Sequence, residues 1–277
     1  MKELTLKEIQ QESLIILQDV HRFCEDNGIR YSIAYGTMIG AVRHKGFIPW
    51  DNDIDIYMPR PDYKRFCESY QSERYKIISE YNPGCYINYC HIYDDRDTTC
   101  YSPFIMADNF QGGIWIDVFP MDGAPDDHDA FEKKMLRMSK VFNKMQYLRK
   151  AACGLSTIKK AFGWKEFIIL SFYYFLTPTK LLLKKTCERL RKEAQEFPFG
   201  TTSRWTDYSC IYIGDDNFHE IKAWSHIGLA EFEGERFRML EDYDAILSRR
   251  YGNYMQLPPE NKRIPKGNHH IYWKNEQ

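Results

Sequence analysis

The chain has 277 residues, 43% of them apolar, and its 38 basic and 39 acidic side chains nearly cancel. This excludes a disordered protein and allows one large domain, or one domain with a sizeable appendage. The balance conceals an asymmetry: residues 144–192 hold twelve Lys or Arg against Glu166 and Glu188, a charge of +10, so the remainder carries −11 of the total of −1. A basic lobe on an acidic body implies two surfaces with different partners.

Ile9, Ile16, Leu17, Val20, Phe23 and Cys24 recur at helical spacing before the Asn27-Gly28 stop, predicting a first helix over about 6–26. Arg30 to Tyr35 reads as a strand entering a Gly36 turn, Met38 to Arg43 as a short helix, and Asp53 to Met58 as a second strand. Pro59 and Pro61 open a helix to about Tyr70. Tyr75 to Ser79, Tyr86 to Tyr93 and Ile114 to Pro120 read as further strands, rich in aromatic and β-branched residues. A charged helix over Asp129 to Arg149 leads into Ser156 to Phe197, which reads as two helices broken at Thr177-Pro178. Strand-like pieces return at Cys210 to Ile213 and around Ala230 to Phe237, where Gly234 turns a hairpin, and a last helix runs from Tyr243 to Tyr251. The expected class is α+β, a mixed sheet core with flanking helices and a helical insertion, divided as core 1–125, basic helical lobe 126–200 and a C-terminal segment 201–277 packing back on the core.

The ten apolar residues Phe167 to Leu176 are too few to span a bilayer, which takes about 20. They read first as a buried helix of the lobe, and second as a contact with an anionic membrane surface, because lysines and arginines bracket them. Met1 to Gln18 lacks the apolar run of a secretory signal, and the eight cysteines form no C-x-x-C pair. A reducing cytoplasmic setting is expected, with peripheral attachment at the inner face of the membrane if 144–192 touches lipid.

Function points to one stretch, where Arg43, His44 and Lys45 run into Asp51, Asp53 and Asp55. On a strand, carboxylates two residues apart share a face at about 6.5 Å. Beside a Gly36-Thr37 turn with free backbone N–H groups and a basic cluster, such an array suits Mg²⁺, with Mn²⁺ as a substitute, and a phosphate-bearing substrate. An EF-hand loop is the rival, but Ile56 stands where that loop needs glycine and Asp62 where it needs Glu. Asp117 lies among apolar strand residues, an expensive position unless paired, and is the candidate third carboxylate. Trp50 and Trp115 read as core or as part of a cage for a quaternary ammonium or a nucleobase. The histidines other than His44, namely His21, His91, His128, His219, His226, His269 and His270, read as structural.

Tyr35-Gly36-Thr37, the run Gly40 to Gly46, Phe47-Ile48-Pro49-Trp50-Asp51-Asn52-Asp53-Ile54-Asp55 and Trp115-Ile116-Asp117-Val118-Phe119-Pro120 resemble the LicD family of bacterial phosphocholine transferases, more distantly related to fukutin and fukutin-related protein. The signature covers about Ile29 to Gly123, with a weaker one over Phe232 to His270. One departure is Asn253, where the family commonly carries Asp in a Y-G-D-Y-M run.

The resemblance implies a nucleotidyltransferase-like fold and a metal site at Gly36, Thr37, Asp53, Asp55 and Asp117, with Asp51 as a further ligand or a support of the loop. It implies transfer of a substituted phosphoryl group, from CDP-choline first among CDP-alcohols, to a hydroxyl of a lipid-linked capsule, lipopolysaccharide or teichoic-acid precursor. Catalysis then falls to Asp53, Asp55 and Asp117, and substrate binding to Gly36, Thr37, Arg43, His44, Lys45 and Trp50. No nucleic-acid partner is expected. A D-x-D glycosyltransferase using a nucleotide sugar, and a non-catalytic scaffold, are the competing classes.

Overall fold

The structure, a computed structural model, describes residues 1–102, 105–108, 110–161, 163–211, 217–265 and 270–275. Helix α1 (Leu6–Asn27) starts at a capping box, in which Thr5 and Glu8 satisfy each other's backbone N–H, and stops at Gly28 in the left-handed region (φ 59°). Its buried stripe is Ile9, Ser13, Ile16, Leu17, Val20 and Cys24. Strand β1 (Ser32–Ile33) is followed by α2 (Tyr35–His44), β2 (Asp55–Pro59), α3 (Arg60–Ser69), β3 (Tyr75–Ile78), β4 (Cys90–Asp94), β5 (Thr98–Tyr101) and β6 (Trp115–Ala124). Helices α4 (His128–Ala152), α5 (Leu155–Ala161), α6 (Trp164–Leu176) and α7 (Thr179–Ala194) follow, and α4 and α7 pack with Tyr86, Ala124, Tyr208 and Phe218. The chain then supplies β7 (Arg204–Asp207), β8 (His219–Glu220), the hairpin β9 (Ile227–Phe232) and β10 (Glu235–Leu240), α8 (Tyr243–Tyr251) and β11 (His270–Trp273).

A seven-stranded mixed sheet runs β1-β2-β6-β4-β3, with β7 on β6 and β8 on β7. Only β2 and β6 are parallel among these pairs. Strand alternation divides its residues between two cores. Ile56, Met58, Cys90, Ile92, Ile116 and Val118 pack with α1 and α3 residues on one side. Tyr57, Phe119 and Met121 join Tyr35, Trp205, Trp224, Leu240 and Ile246 on the other.

Several expectations are corrected. The first strand is two residues long, because the helix after it begins at Tyr35 rather than Met38. Asp53 precedes the second strand, which begins at Asp55. Strand β4 starts at Cys90, four residues later than its apolar run suggests, since Tyr86 gives its N–H to Met106 outside the sheet. Three helices follow α4 among the described residues, not two, with Gly163 capping a separate α6 in addition to the break at Thr177-Pro178. Cys210 and Ile211 are not in a strand, and residues 212–213 of that expected strand lie outside the described residues. Helix α6 is not a buried helix: Leu170 is its sole buried residue among those described.

An internal ion pair fastens α3 to β6. The Arg60 guanidinium donates to both oxygens of Asp122 (2.9 and 2.6 Å) and to Glu80 (2.8 Å), all three side chains largely out of water. Removing one partner of such a group leaves an uncompensated buried charge. Asp122→Ala is expected to lower stability by about 3–5 kcal/mol in urea unfolding, well beyond the effect of a surface substitution.

Candidate metal and phosphate site

The register of three neighbouring strands builds the site. Asp55 of β2 pairs with Asp117 of β6, and Asp117 pairs with His91 of β4. Residues in register share a sheet face, with Cβ atoms about 5 Å apart, so the three form one row. His91 is buried, and its Nδ1 lies against Asp117 Oδ1. The Tyr89 and Trp115 rings meet the imidazole edge-on, with centroids 5.1 and 5.4 Å away.

Helix α2 closes the row from the chain's N-terminal side. Ala34 N–H donates to Asp55 O, and Asp55 N–H donates to Thr37 Oγ1, both at 2.9 Å. A Cβ at Gly36 would stand 2.6 Å from Asp51 Oδ2, so a larger residue there would displace the Asp51 carboxylate. Tyr35 begins the helix with φ 45°, a strained value for a tyrosine. Its hydroxyl donates to the buried Asp207, and its ring sits edge-on to Tyr57 and Phe119. Over the same ring, 4.3 Å from its centroid, lies the Arg250 guanidinium, which also donates to Asn217 (2.7 Å).

These placements converge electrostatically. Burial, followed by repulsion from Asp53, Asp117 and Asp51, pushes the Asp55 carboxyl well above the usual range, and Arg250 offsets part of that. Asp51, Asp53 and Asp117 are thus each close enough to Asp55 to act on its charge. Asp51 and Asp53 arrive on the loop before β2, not by strand alternation, with Asp53 exposed. Burial and the nearby Asp207, Asp117 and Asp55 push the Cys210 thiol up, so it remains protonated and unsuited as a nucleophile.

The basic cluster is held by the C-terminal segment. Arg43 Nη1 donates to Tyr254 O (2.5 Å), and its Nε donates to His44 Nε2 (2.9 Å). Burial and the Arg43 charge push the His44 imidazole down. Lys45 ends α2 in the left-handed region (φ 59°), and its carbonyl accepts from Glu233 N–H at the hairpin tip. Glu233 Oε1 accepts from Phe47 N–H (2.9 Å) and lies where a Cβ on Gly46 would be. Trp50 packs on the main core with Arg263 5.9 Å from its ring centroid, whereas Trp115 belongs to a different cluster. Asp62, the last position of the rejected calcium loop, is buried in α3 and pairs with Arg30 at 2.7 Å.

Sequence reasoning passed over His91, Asp207 and Arg250. His91, read as structural, lies against Asp117, a contact that only the β4–β6 register reveals. Arg250 lies beside the Tyr251-Gly252 run, and nothing in that spacing shows which strand it faces. His269 and its neighbours 266–268 lie outside the described residues. A separate exposed group, His128, Asp129 and Glu132, sits at the start of α4 with ligand atoms within 4.8 Å of one another.

A mixed sheet carrying a row of carboxylates, faced by a helix start and an arginine, defines a site suited to a hard cation and an anionic substrate. The family model for the nucleotidyltransferase domain of LicD/FKTN/FKRP matches residues 28–139, which contain Gly36, the D-x-D loop, His91 and Asp117. Lipopolysaccharide cholinephosphotransferase LicD of Haemophilus influenzae is 31% identical, with 98% of each chain covered. An uncharacterized protein of Rickettsia prowazekii is 27% identical over 46% of each chain. The chain belongs to the LicD family.

The raised Asp55 carboxyl has a thermodynamic consequence. A carboxyl whose folded-state pKa exceeds its unfolded value stabilises the fold in acid, and that contribution is lost as pH rises through the folded value. With a chelator present, Asp55→Asn is expected to melt at a higher temperature than wild type at neutral pH, by about 2–4 °C for each kcal/mol of repulsion relieved. The gap should close on acidification, as read by calorimetry across pH.

Proposed function

We propose that the chain transfers phosphocholine from CDP-choline to a hydroxyl of a lipid-linked cell-surface glycan, with CMP leaving. The observation that carries this reading is the in-register Asp55–Asp117 pair at the start of α2, in a chain alignable end to end with a cholinephosphotransferase. The relative's name specifies lipopolysaccharide, which supports a lipid-linked glycan as acceptor.

The donor set is all carboxylate oxygen, which fits Mg²⁺ better than a softer metal. Asp53, Asp55 and Asp117 would hold it, with Asp51 supporting the loop against Gly36. Bound there, the cation supplies charge neutralisation on the donor diphosphate. Thr37 fixes Asp55 through its backbone N–H. The α2 N-terminus and Arg250 meet the donor's phosphate oxygens, while Arg43, His44 and Lys45, at the opposite end of the helix, hold its following loop to the C-terminal segment. Asp117, oriented by His91, accepts the proton of the attacking hydroxyl. Trp50 flanks the D-x-D loop in sequence and packs on the main core, where it steadies that loop.

The test is release of CMP from a panel of CDP-choline, CDP-ethanolamine and CDP-ribitol, with Mg²⁺ and a lipid-linked glycan. Asp53→Ala and Asp117→Ala are expected to reduce release from CDP-choline by about 10²–10³-fold, the scale of removing one preorganised charge-stabilising group. His91→Ala is expected to reduce it by about 10–100-fold, as for partners that orient a ligand. Turnover of UDP- or GDP-sugars with no CDP-alcohol consumed would overturn the proposal in favour of a glycosyltransferase.

A further inference from the structure

Helix α6 presents an apolar surface that is left exposed among the described residues. Trp164, Ile168, Phe172, Phe175 and Leu176 are each 63–72% exposed. Their spacing places them along one side of the helix. Exposed apolar patches of this kind mark an interaction surface. At thirteen residues α6 is about 20 Å long, short of the roughly 30 Å hydrocarbon core of a bilayer. No single helix among the described residues is long and apolar enough to cross a membrane, and α6 turns through 96° into the charged α7.

The surroundings are basic. Between α4 and α7 lies a groove of about 490 Å³ lined by Arg137, Lys140, Lys144, Lys185 and Arg189. Arg137 and Arg189 are paired with Glu193 (3.2 and 2.7 Å), but Lys140, Lys144 and Lys185 have no acidic partner among the described residues. With +10 over residues 144–192, a second copy of this chain is a poor occupant, because a two-fold contact would set one basic lobe against another. An anionic bilayer matches both features. Its headgroup phosphates complement the lysines, and its acyl boundary accepts the aromatic and aliphatic side of α6.

We infer that the α4–α7 lobe docks the protein on an anionic lipid surface, with α6 lying in the interfacial plane and the α4/α7 groove holding lipid phosphate. This does not rest on the transfer reaction, and its test reads binding alone. The full-length protein is sedimented with vesicles of phosphatidylglycerol and phosphatidylethanolamine in equal parts, and with phosphatidylcholine vesicles. Wild type is expected to partition to the first at least about tenfold better, an advantage that shrinks in high salt. Lys140→Glu with Lys185→Glu should weaken binding to the anionic vesicles at least about tenfold. The triple variant Ile168→Ser, Phe172→Ser, Phe175→Ser should do the same while keeping the wild-type melting temperature, because those side chains are exposed.

Equal partition to both vesicles, or binding indifferent to either set of substitutions, overturns the inference. So does a concentration-dependent dimer in sedimentation velocity that the triple variant abolishes, which would assign α6 to self-association instead.

Discussion

The parallel pairing of β2 with β6 is the constraint on which the site depends. It sets Asp55 directly beside Asp117, and the antiparallel partner β4 extends the row to His91. A slip of one residue would send Asp117 to the opposite face, among Ile56, Ile92 and Val118, where a carboxylate has no counterpart. The apolar alternation of the same strands resists that slip, because Ile116 and Val118 are buried against α1 and α3 only in the observed register. The core thus holds charges together that would otherwise separate, and burial first, then that repulsion, raises the Asp55 carboxyl.

The second half of the arrangement comes from far along the chain. Asp207 of β7 accepts from Tyr35, Arg250 of α8 covers the Tyr35 ring, and the β9–β10 hairpin pins the Lys45–Phe47 loop through Glu233. These contacts hold the strained first residue of α2 in place, with Thr37 of the same turn accepting from the Asp55 N–H. The family-matched stretch, residues 28–139, therefore supplies the acids, and the C-terminal segment supplies a cation and the clamps.

Much of this was legible in the residues themselves. The D-x-D motif, the Gly36-Thr37 pair, the lone Asp117 on an apolar strand and the Gly234 hairpin all carry local signals that survive folding, although Gly36-Thr37 reads as a turn and lies inside α2. What local signals missed follows from register and burial. His91 looks like any strand histidine until β4 is placed against β6. Strands β7 and β8 have four and two residues and owe their existence to tertiary pairing. Apolar content suggested a buried α6, but composition does not say whether a neighbour is available to cover it, and among the described residues only Leu170 is buried, with Phe167 half-buried beside it.

The measurement that bears most directly on the strand-row site is Mn²⁺ binding by electron paramagnetic resonance, with Mn²⁺ as a spectroscopic stand-in for Mg²⁺. Wild type is compared with Asp55→Asn, with Asp117→Asn, and with a His128→Ala, Glu132→Ala variant that dismantles the exposed cluster on α4. The account predicts that bound Mn²⁺ is lost in the first two variants and unchanged in the third. Binding retained in Asp55→Asn and Asp117→Asn but lost with His128 and Glu132 would contradict it.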